Sequence, residues 1–406
     1  MASAPQDSTQ GDAGYAAPST PMGDLFPYAA SRALVAARAA GEDRQTVELD
    51  WADGSRSHLH ALMLRDSCAC RQCRDAYTLE RTLDQLAYPL DVYPESLAII
   101  EGDSLEIRWS GGGHVSRFDA GWLEAEGRID KAAGEARRQL WGGGDGSALP
   151  QHDYGAILTE PAAALAWLES LRDFGIAFVT GAPDSGESLE RLIDHVAFVR
   201  RTNFGAIFDV KAQIDTISNA YTAVALPLHT DLTNREYQPG YQLLHCLENE
   251  AAGGESTYAD GFRVAELLRR EDPEAFEILT RVPVIFRYHD TDYDYEHARP
   301  VLGLGGDGEV AEVRFNASLM RGFEAPAAET SACYRAYRRF LELTRDPSIQ
   351  VKRRMRPGEV ACMDNRRVMH GRAAFEPTTG KRHLRGAYME REEVLSRIRV
   401  LRRSVQ

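Results

Sequence analysis

Two short segments far apart in the chain constrain its fold more than anything else: Leu228-His229-Thr230-Asp231 and Val368-Met369-His370-Gly371-Arg372. Two imidazoles and one carboxylate on one face of a metal leave the opposite face open, which suits Fe(II) and O2 chemistry. On a strand, residues i and i+2 point the same way. A strand therefore lets His229 and Asp231 grip one ion while Thr230 faces elsewhere. The third donor must come from another strand, so a fold that uses all three has to close one distant segment onto the other. A His-x-Asp pair by itself is a weak signal. The downstream segment gives it weight.

Met355-Arg356-Pro357-Gly358-Glu359-Val360-Ala361-Cys362-Met363-Asp364-Asn365 reads as a turn punctuated by Pro-Gly and then a strand. His370 follows, and after it Lys381-Arg382-His383. An arginine about one strand beyond the last ligand puts a permanent cation where a dicarboxylate co-substrate needs one. A planar guanidinium binds carboxylate bidentately and keeps its charge. The competing reading of Arg382 is an ordinary solvated surface arginine.

With 406 residues, 43% of them hydrophobic, the chain can bury a substantial core in two domains. A formal net charge of -14 argues against nucleic acid as a partner, because phosphate binding relies on basic surfaces. No apolar run reaches membrane-spanning length. Residues Met1 to about Leu25 are rich in Ala, Ser, Pro and Gly and lack the pattern of a secretory signal. They read as a disordered leader over residues 1–27. Six cysteines without such a signal favour a reducing cytoplasm, where clustered thiols bind metal more often than they pair.

Between residues 28 and 142 the pattern predicts a small α+β domain. Strands are expected at Gln45–Trp51, Leu97–Ile100 and Leu105–Trp109, and a helix from Trp122 to Leu140. The glycine-rich break Trp141-Gly142-Gly143-Gly144-Asp145-Gly146-Ser147 marks a boundary, with a second domain over 143–406. There, helices are expected at Ala162–Phe174, Leu189–Arg200 and Ala332–Thr344, with a helical insertion from Gly261 to Thr280 broken at Asp272-Pro273. A short buried strand lies between Gly175 and Gly181. Short strands with flanking helices predict a mainly β domain, a distorted jelly roll that cages a ligand between two sheets.

Cys68, Cys70 and Cys73 offer three soft donors within six residues, suited to Zn(II). A closed structural site needs a fourth, and His58, His60 and His114 are the candidates. Catalytic zinc and three free buried thiols are the alternatives. Structural zinc accounts best for a small domain with a limited core. Cys246, Cys333 and Cys362 read as buried packing residues.

These residues together resemble the γ-butyrobetaine hydroxylase and trimethyllysine dioxygenase family of Fe(II)/2-oxoglutarate-dependent oxygenases. The resemblance runs from about Val47 to the C-terminus. It is carried by Leu64-Arg65-Asp66-Ser67-Cys68-Ala69-Cys70-Arg71-Gln72-Cys73, His229-Thr230-Asp231 and Gln242-Leu243-Leu244-His245-Cys246. Further stretches are Gly253-Gly254-Glu255-Ser256, Asp260-Gly261-Phe262, Asp364-Asn365-Arg366, His370-Gly371-Arg372, Arg382-His383-Leu384 and Gly386-Ala387-Tyr388. It implies a double-stranded β-helix catalytic domain behind a small N-terminal zinc-binding domain. Iron would be held by His229, Asp231 and His370, and zinc by Cys68, Cys70, Cys73 and His114. 2-Oxoglutarate would be held by Arg382 with help from Leu244 and Ser256.

The family's trimethylammonium pocket matches Phe204, Phe208, Tyr221, Leu232 and Tyr388, with Leu232 where a tyrosine is expected. Of two substrate-carboxylate asparagines, one matches Asn316; the other falls at Ser218, next to Asn219. The implied activity is hydroxylation of a small trimethylammonium acid by a cytoplasmic homodimer that uses O2. The same chemistry on another small cationic acid is the first alternative, and a non-catalytic metal-binding relative the second.

Overall fold

The computed structural model describes residues 28, 30–101, 103–127, 138–145, 148–211 and 222–405. The chain divides into two compact units, residues 1–135 and 136–406. The expected leader over 1–27 lies outside the described residues, as do Ser218, Asn219 and Tyr221.

The first unit rests on two small antiparallel sheets. Leu34–Ala40, Thr46–Trp51 and Arg56–His60 form one; Pro94–Ile100, Ser104–Trp109 and Val115–Asp119 form the other. Alternation along Thr46–Trp51 turns Val47, Leu49 and Trp51 inward, while Glu48 and Asp50 pair outside with Arg38. The inward residues join Leu105, Ile107 and Trp109 in one core. The two buried indoles donate to Ser57 and Ser116, so each keeps its hydrogen bond. The helix expected from Trp122 to Leu140 is short, spanning Ala120–Glu126 under an Asp119 cap and ending at Gly127. Residues 128–137 lie outside the described set, and 138–140 are not helical.

In the second unit, successive strands alternate between two sheets, the winding of a double-stranded β-helix. Leu226–His229, Ser256–Asp260, Val351–Arg353 and Val368–Arg372 fall in a four-stranded sheet. Tyr241–Asn249, Val360–Asp364 and Arg382–Met389 fall in a six-stranded sheet with Gln151–Asp153, Ile176–Thr180 and Ile207–Lys211. Ile176 to Val179 are all fully buried, because both faces of the larger sheet are covered. Outward, Ala177, Val179, Leu243 and Cys362 meet Trp167, Leu168 and Leu171 of helix Pro161–Phe174 and Ile398 of helix Arg391–Ser404. Inward, Phe178, Ala361, Met363 and Leu384 pack with Tyr258 and Val368 of the smaller sheet.

The expected insertion is two helices, Gly261–Glu271 and Pro273–Arg281. The Asp272 carboxylate accepts from the Ala275 N–H to cap the second, and Pro273 starts it without an orphaned donor. The helix predicted to reach Arg200 stops at Asp194. The turn between the strands Val360–Asp364 and Val368–Arg372 is pinned by Arg367. Its guanidinium meets the Asp260 carboxylate through two bonds of 3.0 and 2.8 Å, fully inside the protein. A bidentate pair of this kind satisfies both buried charges, whereas removing one partner would strand the other. No helix of the described residues is long and apolar enough to cross a membrane.

Candidate active site

His229 closes the strand Leu226–His229 and His370 sits mid-strand in Val368–Arg372. The two are direct cross-strand partners, with ring centroids 4.4 Å apart. The strand ends at His229, so Asp231 lies in the following turn and not on the strand that the His-x-Asp spacing predicts. A buried asparagine replaces the missing sheet pairing. The Asp231 N–H donates to Asn365 Oδ1 at 2.7 Å, and Asn365 Nδ2 donates to the Asp231 carbonyl at 3.1 Å. The next residue, Leu232, is left-handed at φ 55°, an uncommon conformation for a branched side chain.

The three side chains converge. Asp231 Oδ1 is 3.2 Å from His229 Nε2 and 3.7 Å from His370 Nε2. His229 Nδ1 donates to the Pro227 carbonyl at 2.8 Å, which fixes the tautomer and frees Nε2 as a ligand. The other carboxylate oxygen is already engaged: Asp231 Oδ2 accepts from the Tyr388 hydroxyl at 2.7 Å and from Gln242 Nε2. The carboxylate therefore presents one free oxygen to the imidazoles. Burial raises the Asp231 carboxyl, but the two imidazoles and the Tyr388 hydroxyl more than reverse this and hold it well below the usual carboxylate range. Burial lowers His370 to about 4, against the pull of Asp231. Burial lowers His229 as well, but its bond to Asp231 and the charge of that carboxylate outweigh burial and raise it, so a divalent cation, which needs neutral imidazoles, would displace a proton there. Among the described residues this is one of two groups able to hold a metal.

A cavity of about 340 Å³ opens in front of the three donors. Its walls include every described residue expected to contact co-substrate or substrate: Arg382, Leu244 and Ser256, and Phe204, Phe208, Leu232, Asn316 and Tyr388. Arg382 begins its strand, buried, with Nε lacking a partner among the described residues and burial lowering the guanidinium. It shares the Phe375 ring with Arg372, whose Nη2 donates to the carbonyls of Thr222 and Val224. Phe208 stacks on Tyr388 at 5.3 Å, and Phe204 lies 6.1 Å from both Phe208 and Tyr288. The sheet register pairs Phe208 with Gly386, where an added Cβ would fall 2.3 Å from the ring, so this approach requires glycine.

Sequence reasoning missed three residues here. Tyr288 extends the ring cluster from another sheet and carried no local signal. Gln242 and Asn365 stand within quoted stretches, but only the folded chain reveals that both serve Asp231.

The second group of donors belongs to the first unit. Cys68, Cys70 and Cys73 follow the helix Ala61–Asp66, and His114 ends a turn in which Gly111, Gly112 and Gly113 all have positive φ. His114 Nε2 lies 3.3, 3.7 and 3.7 Å from the three sulfurs. The other two candidates are used elsewhere: His58 faces Glu48, and His60 caps the helix by accepting from the Leu62 N–H. Burial lowers His114, with Arg65 adding to the effect, which keeps it neutral as a ligand. Cys246, Cys333 and Cys362 are free and buried.

Residues 145–388 match the model of the taurine catabolism dioxygenase TauD, TfdA family, and residues 39–124 match the γ-butyrobetaine hydroxylase-like N-terminal model. The γ-butyrobetaine dioxygenase of Pseudomonas sp. (strain AK-1) is 41% identical over 383 residues, 93% of this chain and 98% of that protein. The human γ-butyrobetaine dioxygenase is 32% identical, covering 89% of this chain and 95% of its own length. The trimethyllysine dioxygenase of Meyerozyma guilliermondii is 30% identical, covering 88% and 94%. With three donors converging on an open cavity and both units matched in order, the chain belongs to the TauD, TfdA family of dioxygenases.

Proposed function

We propose that the chain hydroxylates a small trimethylammonium acid, with γ-butyrobetaine the first candidate, using Fe(II), 2-oxoglutarate and O2. The observation that carries this reading is one cavity holding both the His229, Asp231 and His370 donors and a cluster of aromatic rings. Fe(II) held by His229, Asp231 and His370 would, with 2-oxoglutarate and O2, supply the oxidising chemistry, one oxygen atom ending in succinate as CO2 is lost and the other in the alcohol formed from a substrate C–H bond.

The chain's own residues bind, orient and keep the site dry. Arg382 neutralises the distal carboxylate of 2-oxoglutarate, beside Ser256 and Leu244. A buried fixed cation is already desolvated when the dianion arrives. Phe204, Phe208, Tyr288 and Tyr388 present ring faces to a quaternary ammonium, which has no N–H to donate and is held by the ring quadrupoles. Asn316 meets the substrate carboxylate. Anchoring both ends of a short molecule fixes which carbon faces the metal. Ser218 and Tyr221 are proposed substrate contacts on the resemblance alone.

In the first unit, Cys68, Cys70, Cys73 and His114 are proposed to hold a structural zinc, four donors leaving no position for substrate. A cytoplasmic homodimer is the family reading for assembly and location; light scattering tests the first.

Leu232 supports a second reading, the same chemistry on a different small cationic acid, since it lines the cavity where the resemblance expects tyrosine. Succinate release with a panel of cationic acids decides. γ-Butyrobetaine should stimulate release well above the uncoupled background. If no trimethylammonium acid does so, the substrate lies elsewhere.

A further inference from the structure

One buried polar side chain in the cavity serves neither the metal donors nor the Arg382 end. Asn234 is 2% exposed and lines the cavity, and neither its Oδ1 nor its Nδ2 has a hydrogen-bond partner among the described residues. Buried amides are nearly always paired, and leaving both atoms of one unpaired carries a desolvation cost. A ligand that takes the bond on arrival removes that cost.

Asn234 is held in place. The buried Arg314 donates to the carbonyls of Thr233 and Arg235 through Nη1 and to that of Glu236 through Nη2. The Arg235 N–H closes the turn on the Leu232 carbonyl at 3.0 Å. Arg314 itself stands two residues before Asn316, and the Thr230 N–H donates to the intervening Phe315 carbonyl at 2.7 Å. Segments 230–236 and 314–316 therefore form one braced corner from which Asn234 and Asn316 both reach the cavity. Asn316 spends its Oδ1 on the Ser318 N–H at 3.1 Å. Arg382 and Tyr388, whose hydroxyl meets Asp231, stand near opposite ends of one strand, about 20 Å apart along the backbone at the usual rise per residue.

We propose that Asn234 is an anion anchor for the substrate, its Nδ2 donating to the substrate carboxylate beside Asn316. The inference rests on the reading of the substrate as a trimethylammonium acid. Such a cation has no N–H for Oδ1 to accept, so the donor side of the amide is the useful one. A neutral amide also has a selective advantage over a second guanidinium. It binds one carboxylate without drawing 2-oxoglutarate, which carries two, into the substrate end.

The test is anaerobic calorimetry on the full chain loaded with Fe(II) and 2-oxoglutarate. γ-Butyrobetaine is titrated against butyltrimethylammonium, which keeps the cation and lacks the carboxylate. In Asn234→Asp, isosteric but acceptor-only at this contact, the Kd for γ-butyrobetaine should rise about tenfold or more. Asn234→Ala should raise it about threefold or more, with butyltrimethylammonium within about twofold of wild type in that neutral variant and no weaker than wild type in Asn234→Asp. Equal weakening of both ligands, or an unchanged γ-butyrobetaine Kd in Asn234→Asp, overturns the assignment. So does loss of 2-oxoglutarate binding in that isosteric variant, which would mark a structural role. Wild-type protein that binds no γ-butyrobetaine overturns the substrate reading first, and this inference with it.

Discussion

The two donor groups of this chain make a controlled comparison. Cys68, Cys70, Cys73 and His114 bring three sulfurs and one nitrogen to a common point, with all four donors within one small unit. His229, Asp231 and His370 bring only three donors, face a cavity, and come from segments far apart in sequence. Four donors, three of them soft sulfurs, close a site and add their binding energy to folding; two imidazoles and a carboxylate leave room for co-substrate and O2. The supporting residues differ to match. The first cluster is shaped by a glycine turn and a short helix. In the second, Asn365 holds the Asp231 backbone while Gln242 and Tyr388 occupy one carboxylate oxygen, so that the other remains free.

If that contrast is right, the largest effects come from removing donors, and they differ in kind. His229→Ala or Asp231→Ala should reduce substrate-dependent succinate release to background while the melting profile stays close to wild type. Cys73→Ser should do the reverse first: zinc content falls and the first unit melts early, as measured by metal analysis and calorimetry. Iron removed by a mild chelator should take activity with it, and added Fe(II) should restore it without refolding. Unfolding on iron removal would break the comparison.

Arg382→Ala comes next. Loss of a buried charge-assisted pair should raise the 2-oxoglutarate requirement roughly 10- to 100-fold in steady-state kinetics. An unchanged requirement would discard the role. Tyr388→Phe keeps the ring and removes the hydroxyl from Asp231 Oδ2, so metal affinity should weaken about tenfold, read by Mn(II) binding followed by electron paramagnetic resonance. The smallest effect expected is Phe204→Leu, which removes one ring face from the cluster and should raise the γ-butyrobetaine KM about 3- to 10-fold with kcat nearly unchanged.

Much of this was legible in the chain itself. The strands around Thr46–Trp51 and Ile176–Thr180 follow from alternation and from glycine punctuation. The split helices of the insertion follow from Asp272-Pro273. The convergence of His229 and His370 was readable because a metal site of two imidazoles and one carboxylate needs both segments. What local pattern could not show was whatever depends on tertiary support. Asp231 lies off its strand because Asn365 supplies the backbone hydrogen bonds that a sheet neighbour would. Tyr288 joins the ring cluster from a separate sheet. The helices expected to reach Leu140 and Arg200 stop early, at Glu126 and Asp194, since periodicity marks a helical face more reliably than its end. Leu232 takes a left-handed backbone that no propensity for leucine predicts.

Anomalous diffraction from crystals grown with Fe(II) and Zn(II), recorded at both absorption edges, tests the central claim most directly. The account predicts one iron peak among His229, Asp231 and His370 and one zinc peak among the three cysteines and His114. An iron peak away from those three side chains, or none in a crystal that turns over 2-oxoglutarate, would contradict it.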